Sequence, residues 1–294
     1  MTFKKVAVLG PGLLGGSVGL AMQQRGKSEV CFWGRSEEKL LAVRKEGFFA
    51  STNLAEVVAG ADLVILATPV EFYEGLAERL IEVGGEFLVT DVGSVKGAVE
   101  EGCGKMLRSA GISFVGSHPM AGSEQGGFAA ARADLFEGAT CFICAGEDEA
   151  KERSVENFWE ELGCTVKEVT ANEHDQIVAR ISHLPHALAT VGAKVALREP
   201  GEGAYGGGGL TDTTRVAAGN PAMWTGILMG NRTAVLEELA HAAKELTTMR
   251  DLLENKDEAG LENWLERAKN LRDKLSEFQS GLKDSDEDEY CHES

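Results

Sequence analysis

The chain has 294 residues, 43% of them apolar and 26% charged, with a formal net charge of −18 at pH 7. This is the make-up of an ordinary globular protein, long enough for two hydrophobic cores. So acidic a chain repels a nucleic-acid backbone, and no apolar run reaches the ~18 residues of a membrane span.

The opening stretch MTFKKVAVLGPG runs from two lysines into a strand and a glycine turn. A signal peptide needs a longer apolar stretch and a cleavage site, so the cytoplasm is the expected location. GPGLLGGSVGLAMQQRG reads as a turn and a helix with small residues on its early turns, EVCFWG as a second strand, and SEEKLLAVRKEG as a helix. LAEVVAGADLVILATP gives a short helix and a strongly apolar strand. Helix EFYEGLAERLIEVG, strand EFLVTDVGS, helix VKGAVEEGCGKMLRSAG and strand ISFVGSHP follow. ATCFICAG, DEAKERSVENFWEELG and TVKEVT close this half near residue 171. Strands rich in Val, Ile and Leu that alternate with helices predict a doubly wound parallel sheet covered on both faces.

From about residue 172 the apolar residues follow helical spacing, through HDQIVARISHLPHALATVGAKVAL, PAMWTGILMGNRTAVLEELAHAAKELTTMRDLL and GLENWLERAKNLRDKL. The second half, residues 172–280, is therefore predicted to be all-helical. Long apolar helices bury poorly in one subunit, so a homodimer sharing them is expected. Residues 281–294 hold six acids against Lys283, which reads as a disordered acidic tail. Six scattered cysteines (Cys31, Cys103, Cys141, Cys144, Cys164, Cys291) read as reduced thiols. Cys141 and Cys144 fall on opposite faces of a strand, and no second pair completes a zinc site, so both are expected in the core.

Gly10-Pro11-Gly12-Leu13-Leu14-Gly15 fits G-x-G-x-x-G between the first strand and its helix, the context that gives this pattern meaning. The first glycine permits the turn, the second lets backbone N–H groups approach a pyrophosphate, and the third allows close helix–sheet packing. Residues 1–171 are thus predicted to be a Rossmann dinucleotide-binding domain. An NAD site ends the second strand with an acid for the ribose hydroxyls; this chain has Trp33-Gly34-Arg35-Ser36 instead. Arg35 and Ser36 suit a 2′-phosphate, which points to NADP with NAD as the alternative.

Asp91-Val92-Gly93-Ser94-Val95-Lys96 and Gly116-Ser117-His118-Pro119-Met120-Ala121-Gly122-Ser123-Glu124 lie at successive strand ends, where a doubly wound sheet meets its ligand. His118, in a turn stiffened by Pro119, is the candidate general base, with Ser94 placed to bond it or the group it deprotonates. In the helical half His183 and His186 are neighbours at i and i+3. No third ligand has metal spacing, so they read as polar substrate contacts or helix packing. Arg215, after a glycine-rich loop and a Thr/Asp cluster, suits a bidentate grip on a carboxylate.

GPGLLGGS, LATPV, DVGSVK, SHPMAGSE, HDQIVARISHLPH, TDTTRVA and NPAMW occur in this order, and in them the chain resembles the prephenate/arogenate dehydrogenase family from about residue 4 to 280. The resemblance implies an oxidative decarboxylation of a cyclohexadienyl acid, prephenate or arogenate, by a dimer built through the helical domain. It makes His118 the base and Ser94 the residue that orients hydroxyl and nicotinamide. It gives Arg215 a substrate carboxylate, and sets His183, His186 and Ser123 along the pocket with Glu124 and Trp224 at its mouth. Thr68 and Pro69 of LATPV join Gly10, Gly12, Leu13, Leu14, Gly15, Arg35 and Ser36 in the cofactor set. The absence of an acid after the second strand departs from NAD use. Prephenate is preferred because no additional acid near HLPH awaits an ammonium group. A β-hydroxyacid dehydrogenase would want a lysine where this chain has Arg180 and the HLPH histidines. A non-catalytic dinucleotide-binding scaffold would not need His118, Ser94 and Arg215 together.

Overall fold

Six strands, β1 (Lys5–Leu9), β2 (Glu29–Trp33), β3 (Phe49–Ser51), β4 (Leu63–Leu66), β5 (Leu88–Asp91) and β6 (Phe114–Val115), form a parallel sheet in the order β3-β2-β1-β4-β5-β6. The computed structural model describes residues 3–26, 28–123, 125–144, 146, 148–199 and 201–289, with side chains through residue 275. The run KVAVL makes β1 because its alternate residues feed two cores. Val6 and Val8 pack with Val18 and Met22 of α1 (Leu13–Arg25) on one face. Ala7 and Leu9 pack on the other with Leu54 of α3 (Leu54–Val58) and Leu76 and Leu80 of α4 (Tyr73–Val83). Helix α2 (Glu37–Lys45) also lies between β2 and β3 in the chain. The strand order reverses between β1 and β4, opening a ligand crevice at their carboxyl ends.

After β5 the chain makes α5 (Gly97–Val99), a π-helical turn Glu100–Gly104, and α6 (Lys105–Ser109). The sequence reads ISFVGSHP as one strand, but the structure breaks it at Gly116. A Cβ there would lie 2.9 Å from the Glu100 carboxylate, and beyond it the chain leaves the parallel sheet. Ser117–Pro119 become β7, antiparallel to β8 (Thr140–Cys144), which pairs in parallel with β9 (Thr165–Val169). This small mixed sheet, with α7 (Glu149–Glu161) between its last two strands in the chain, replaces the predicted continuation of the large one. Cys141 and Cys144 lie in β8 with 0% and 2% exposure, and Cys31, Cys103 and Cys164 are likewise buried thiols; Cys291 lies outside the described residues.

The remaining helices are α8 (Ala171–Val178), a π turn Ala179–His183, α9 (Leu184–Ala196), α10 (Gly208–Thr214), a 3₁₀ turn Arg215–Ala218, α11 (Pro221–Gly230), α12 (Arg232–Glu254) and α13 (Glu258–Glu289). Thr170 and Glu173 close a reciprocal capping box at the start of α8. Pro185 sits in the first turn of α9, directly after the π turn. Two compact units result, residues 1–235 and 236–294. The helices from 171 to 235 thus share a unit with the sheets, whereas the sequence expectation divides the chain at 171/172. The acidic end read as disordered from 281 is helical as far as Glu289. No proline interrupts it, and extending an existing helix gains a hydrogen bond per residue; residues 290–294 lie outside those described. None of the described helices is long and apolar enough to cross a membrane.

Candidate active site

Gly10 ends β1 with φ +120°, and a Cβ there would stand 2.7 Å from the Ala67 carbonyl, so the turns after β1 and β4 can touch only because it is glycine. A Cβ at Gly15 would lie 2.2 Å from the Gly10 carbonyl oxygen. Gly12 behaves differently. It caps α1 without any side-chain hydrogen bond, and a Cβ added there meets nothing within 4 Å. The first N–H groups of α1, including those of Leu13 and Leu14, have no intrahelical acceptor and lie at the positive end of the helix dipole, beside the open space at Gly12. Phosphate oxygens fit that space. Thr68 and Pro69 follow β4 on the neighbouring side, and the Thr68 backbone nitrogen is among the nearest atoms to Gly10. Arg35 is exposed after β2 with its guanidinium 4.1 Å above the Phe72 ring. Ser36 caps α2 by accepting from the Lys39 N–H at 3.4 Å, which leaves its hydroxyl hydrogen to donate.

Asp91, at the end of β5, organises the next part. Its Oδ2 accepts the Gly93 N–H (2.8 Å) and pairs with Lys96 Nζ, and its Oδ1 accepts the Ser117 N–H at 3.0 Å. Asp91 and Lys96 are both fully buried. One carboxylate thus ties the β5 loop, which carries Ser94, to β7, which carries His118. The hydrogen bond of His118 runs to α8. Its Nδ1 lies 2.8 Å from His174 Nε2, and His174 Nδ1 lies 2.8 Å from Asp175 Oδ1. Asp175 also accepts the backbone N–H groups of Lys96 (2.8 Å) and Gly97 (2.9 Å). No His118–Ser94 hydrogen bond forms; the Ser94 backbone lies beside His183 instead.

His183 and His186 both pack against Trp224. His186 stacks on the indole at 3.5 Å between centroids and 6° between planes, and His183 meets it edge-on at 6.3 Å. Asn231 Nδ2 donates to the Asp175 carbonyl at 2.7 Å and lies 3.2 Å from His183 Nδ1. Because that nitrogen is a donor, His183 Nδ1 accepts and its proton sits on Nε2. His183 Nε2 and His186 Nδ1 are buried without a hydrogen-bond partner among the described residues. Buried polar atoms are rarely left so, and the nearest backbone groups are those of Ser94 for His183 and Val216 for His186. Arg215 is exposed and opens the 3₁₀ turn that packs on α9, the helix of His186. Ser123 is exposed, and its Oγ accepts the Gln125 N–H. Glu124 lies outside the described residues.

Burial lowers all four histidine pKa values. For His118, His174, Lys96 and His183 add to that effect; for His174 the hydrogen bond to Asp175 opposes it; His183 falls to about 4; and His186 is also lowered. Burial alone would raise Asp175, but the bonds from His174 and the two amides outweigh it and the carboxyl titrates low. The histidines are therefore neutral in the folded protein and titrate near pH 6.5 once unfolded. Stability is then fully present above that pH and is lost as pH falls, by up to about 1.4 kcal/mol per pH unit for each histidine. Thermal unfolding at pH 7.5 and 5.5 should give the lower Tm at 5.5; equal values would contradict neutral burial.

The sequence names His118, His183, His186 and Trp224, which the structure does bring into one unit, but assigns no role to Asp91, Lys96, His174, Asp175 or Asn231. The usable signal was the capping box. It fixes the phase of α8 so that His174, Asp175 and Val178 share the buried side, and a polar pair on that side needs partners.

A family model of the prephenate dehydrogenase nucleotide-binding domain matches residues 18–168, and one of the prephenate dehydrogenase dimerization domain matches residues 170–267. The Bacillus subtilis prephenate dehydrogenase is 33% identical over 290 residues, covering 94% of this chain and 77% of that protein. A crystal structure of the Aquifex aeolicus prephenate dehydrogenase with hydroxyphenyl propionate and NAD+ superposes with a TM-score of 0.86 at 28% identity, covering 92% of this chain and 98% of that one. Synechocystis arogenate dehydrogenase superposes at 0.78, also at 28% identity, over 92% and 99% of the two chains.

Proposed function

The chain belongs to the prephenate dehydrogenase family, and on that premise we propose that it oxidises and decarboxylates prephenate to 4-hydroxyphenylpyruvate, a step of tyrosine synthesis, with NADP as its preferred cofactor. The observation that carries the reading is His118, a buried imidazole held neutral on the strand beside the Asp91–Gly93 turn. When bound, the nicotinamide supplies the acceptor for the hydride leaving the ring carbinol carbon. His118 takes the hydroxyl proton at Nε2, the nitrogen not tied to His174, and so strengthens the hydride donor. Carbon dioxide leaves with aromatisation of the ring, and the proton held by His118 is available to the phenolate oxygen that this creates. Arg215 grips a substrate carboxylate. His183 donates from Nε2 to a substrate oxygen, and His186, backed by Trp224, lines the same pocket. Ser94 orients the hydroxyl, and Ser123 lines the pocket.

Prephenate is preferred over arogenate because the ammonium of arogenate needs an acid. Asp175, beside His183, is already engaged by His174 and two amides. Arg35 poised over Phe72 and the free hydroxyl hydrogen of Ser36 support a 2′-phosphate. Charge-assisted bonds of this kind are worth about 1.5–3 kcal/mol, so kcat/KM should favour NADP over NAD by roughly 10- to 100-fold. Steady-state assays crossing prephenate and arogenate with NADP and NAD test both choices. A preference for NAD removes the role of Arg35, and a preference for arogenate replaces the substrate. The division of labour proposed is nucleotide binding by residues 1–171 and substrate binding by 172–280, in a homodimer formed through the helical part. The exposed Leu246, Leu253, Leu265 and Leu271, an uncovered apolar set on α12 and α13, support that assembly.

A further inference from the structure

We propose that His174 and Asp175 act through His118 as a proton relay, so that the base of this site is a chain of two imidazoles closed by a carboxylate. The inference rests on His118 being the base, as proposed above. It starts from three contacts: His118 Nδ1 to His174 Nε2 at 2.8 Å, His174 Nδ1 to Asp175 Oδ1 at 2.8 Å, and the two backbone N–H groups that Asp175 accepts from Lys96 and Gly97.

Those contacts fix every proton. Asp175 offers only lone pairs while ionised, so His174 must donate its Nδ1–H to it. His174 is neutral, which leaves Nε2 as a bare acceptor. His118 must then carry its proton on Nδ1 and donate it to His174, so its own lone pair lies on Nε2. The far carboxylate thus selects the tautomer of a base one full imidazole away. Two edge-to-face contacts hold the rings, His118 on His174 at 5.1 Å and Phe142 on His174 at 5.4 Å.

When His118 Nε2 binds the substrate hydroxyl proton, an N–H bond forms there. The Nδ1–H bond can break as His174 Nε2 gains that proton, and the positive charge moves next to Asp175. No redox partner is involved, and the same shift runs backwards when the product oxygen takes its proton. The other charged or titratable groups facing these rings are Lys96 and Asp91 from the β5 loop and His183 from the π turn. Lys96 and Asp91 are paired with each other. Asp175 is therefore the unneutralised anion of the cluster and the group that stabilises a proton held there. His174 and Asp175 are positioning residues; only His118 meets the substrate.

The test is the pH profile of kcat/KM at saturating cofactor, for Asp175→Asn and His174→Gln. Either variant should lower the plateau about 10- to 100-fold, as the loss of a supporting partner commonly does. It should also move the acidic limb to lower pH, since a base deprived of its anion is weaker. The two variants guard one another: Asp175 also holds two backbone amides, so Asp175→Asn risks misfolding, whereas a glutamine at 174 can still accept from His118. A lower plateau with an unmoved limb in folded variants, or no change at all, overturns the relay. Failure of the underlying reading looks different, because His118→Asn would then itself remain active.

Discussion

His118→Asn is expected to keep cofactor affinity while turnover falls by about two to four orders of magnitude, the range associated with losing a positioned general base. Asparagine is a fair probe because its amide N–H can replace the imidazole Nδ1–H that faces the His174 acceptor, so no buried nitrogen is orphaned. It has no basic lone pair for a hydroxyl proton at neutral pH. The cradle that would hold the dinucleotide is built elsewhere, from the turns after β1 and β4 around Gly10, Gly12 and Gly15, so the variant should bind NADP as before. Fluorescence titration of the cofactor alongside steady-state assay separates the two effects. Near-normal turnover in the folded variant would take the base away from His118.

What the sequence discloses about this site follows from how local each constraint is. G-x-G-x-x-G is legible because turn, phosphate approach and helix packing are imposed within six residues, and Gly10, Gly12 and Gly15 each meet one of those demands in space. The alternation of Val6, Ala7, Val8 and Leu9 between two cores is equally local. His118 stands out through its place at a strand end before a proline. Its partners do not, because His174 lies 56 residues further on, with its phase set by a capping box. The exit of β7 from the parallel sheet is also hidden, since its contacts are distant in the chain, with the Glu100 carboxylate beside Gly116 and Asp91 reaching Ser117 across 26 residues. The π turns before Lys105 and before Leu184 shift helix phase in ways that a 3.6-residue count does not anticipate. Strand order suits Ser94 either to His118 or to the group that His118 deprotonates; the Ser94 backbone lies beside His183, and His118 bonds His174.

Lys96→Met should be the most destabilising single change in the cluster, at about 3–5 kcal/mol, because it strands a buried carboxylate. Lys96 and Asp91 have no exposed surface at all, and methionine fills much of the space of the lysine stem without its charge. The Gly93 and Ser117 N–H groups still face Asp91, but two neutral donors do not replace an ammonium ion. Denaturant unfolding should therefore show a large loss for Lys96→Met and a smaller one for the Asp91→Asn/Lys96→Met pair, in which the stranded charge is gone. A loss under about 1 kcal/mol for the single variant would mean that the pair is not dry. The same substitution has a catalytic signature opposite to that of Asp175→Asn. Lys96 is among the cations that hold His118 in its neutral form. Removing it, and leaving Asp91 uncompensated nearby, should carry the acidic limb of kcat/KM to higher pH, whereas loss of the Asp175 charge carries it lower. Two substitutions on either side of one imidazole, moving one limb in opposite directions, would tie the buried electrostatics of this fold directly to the proton it handles.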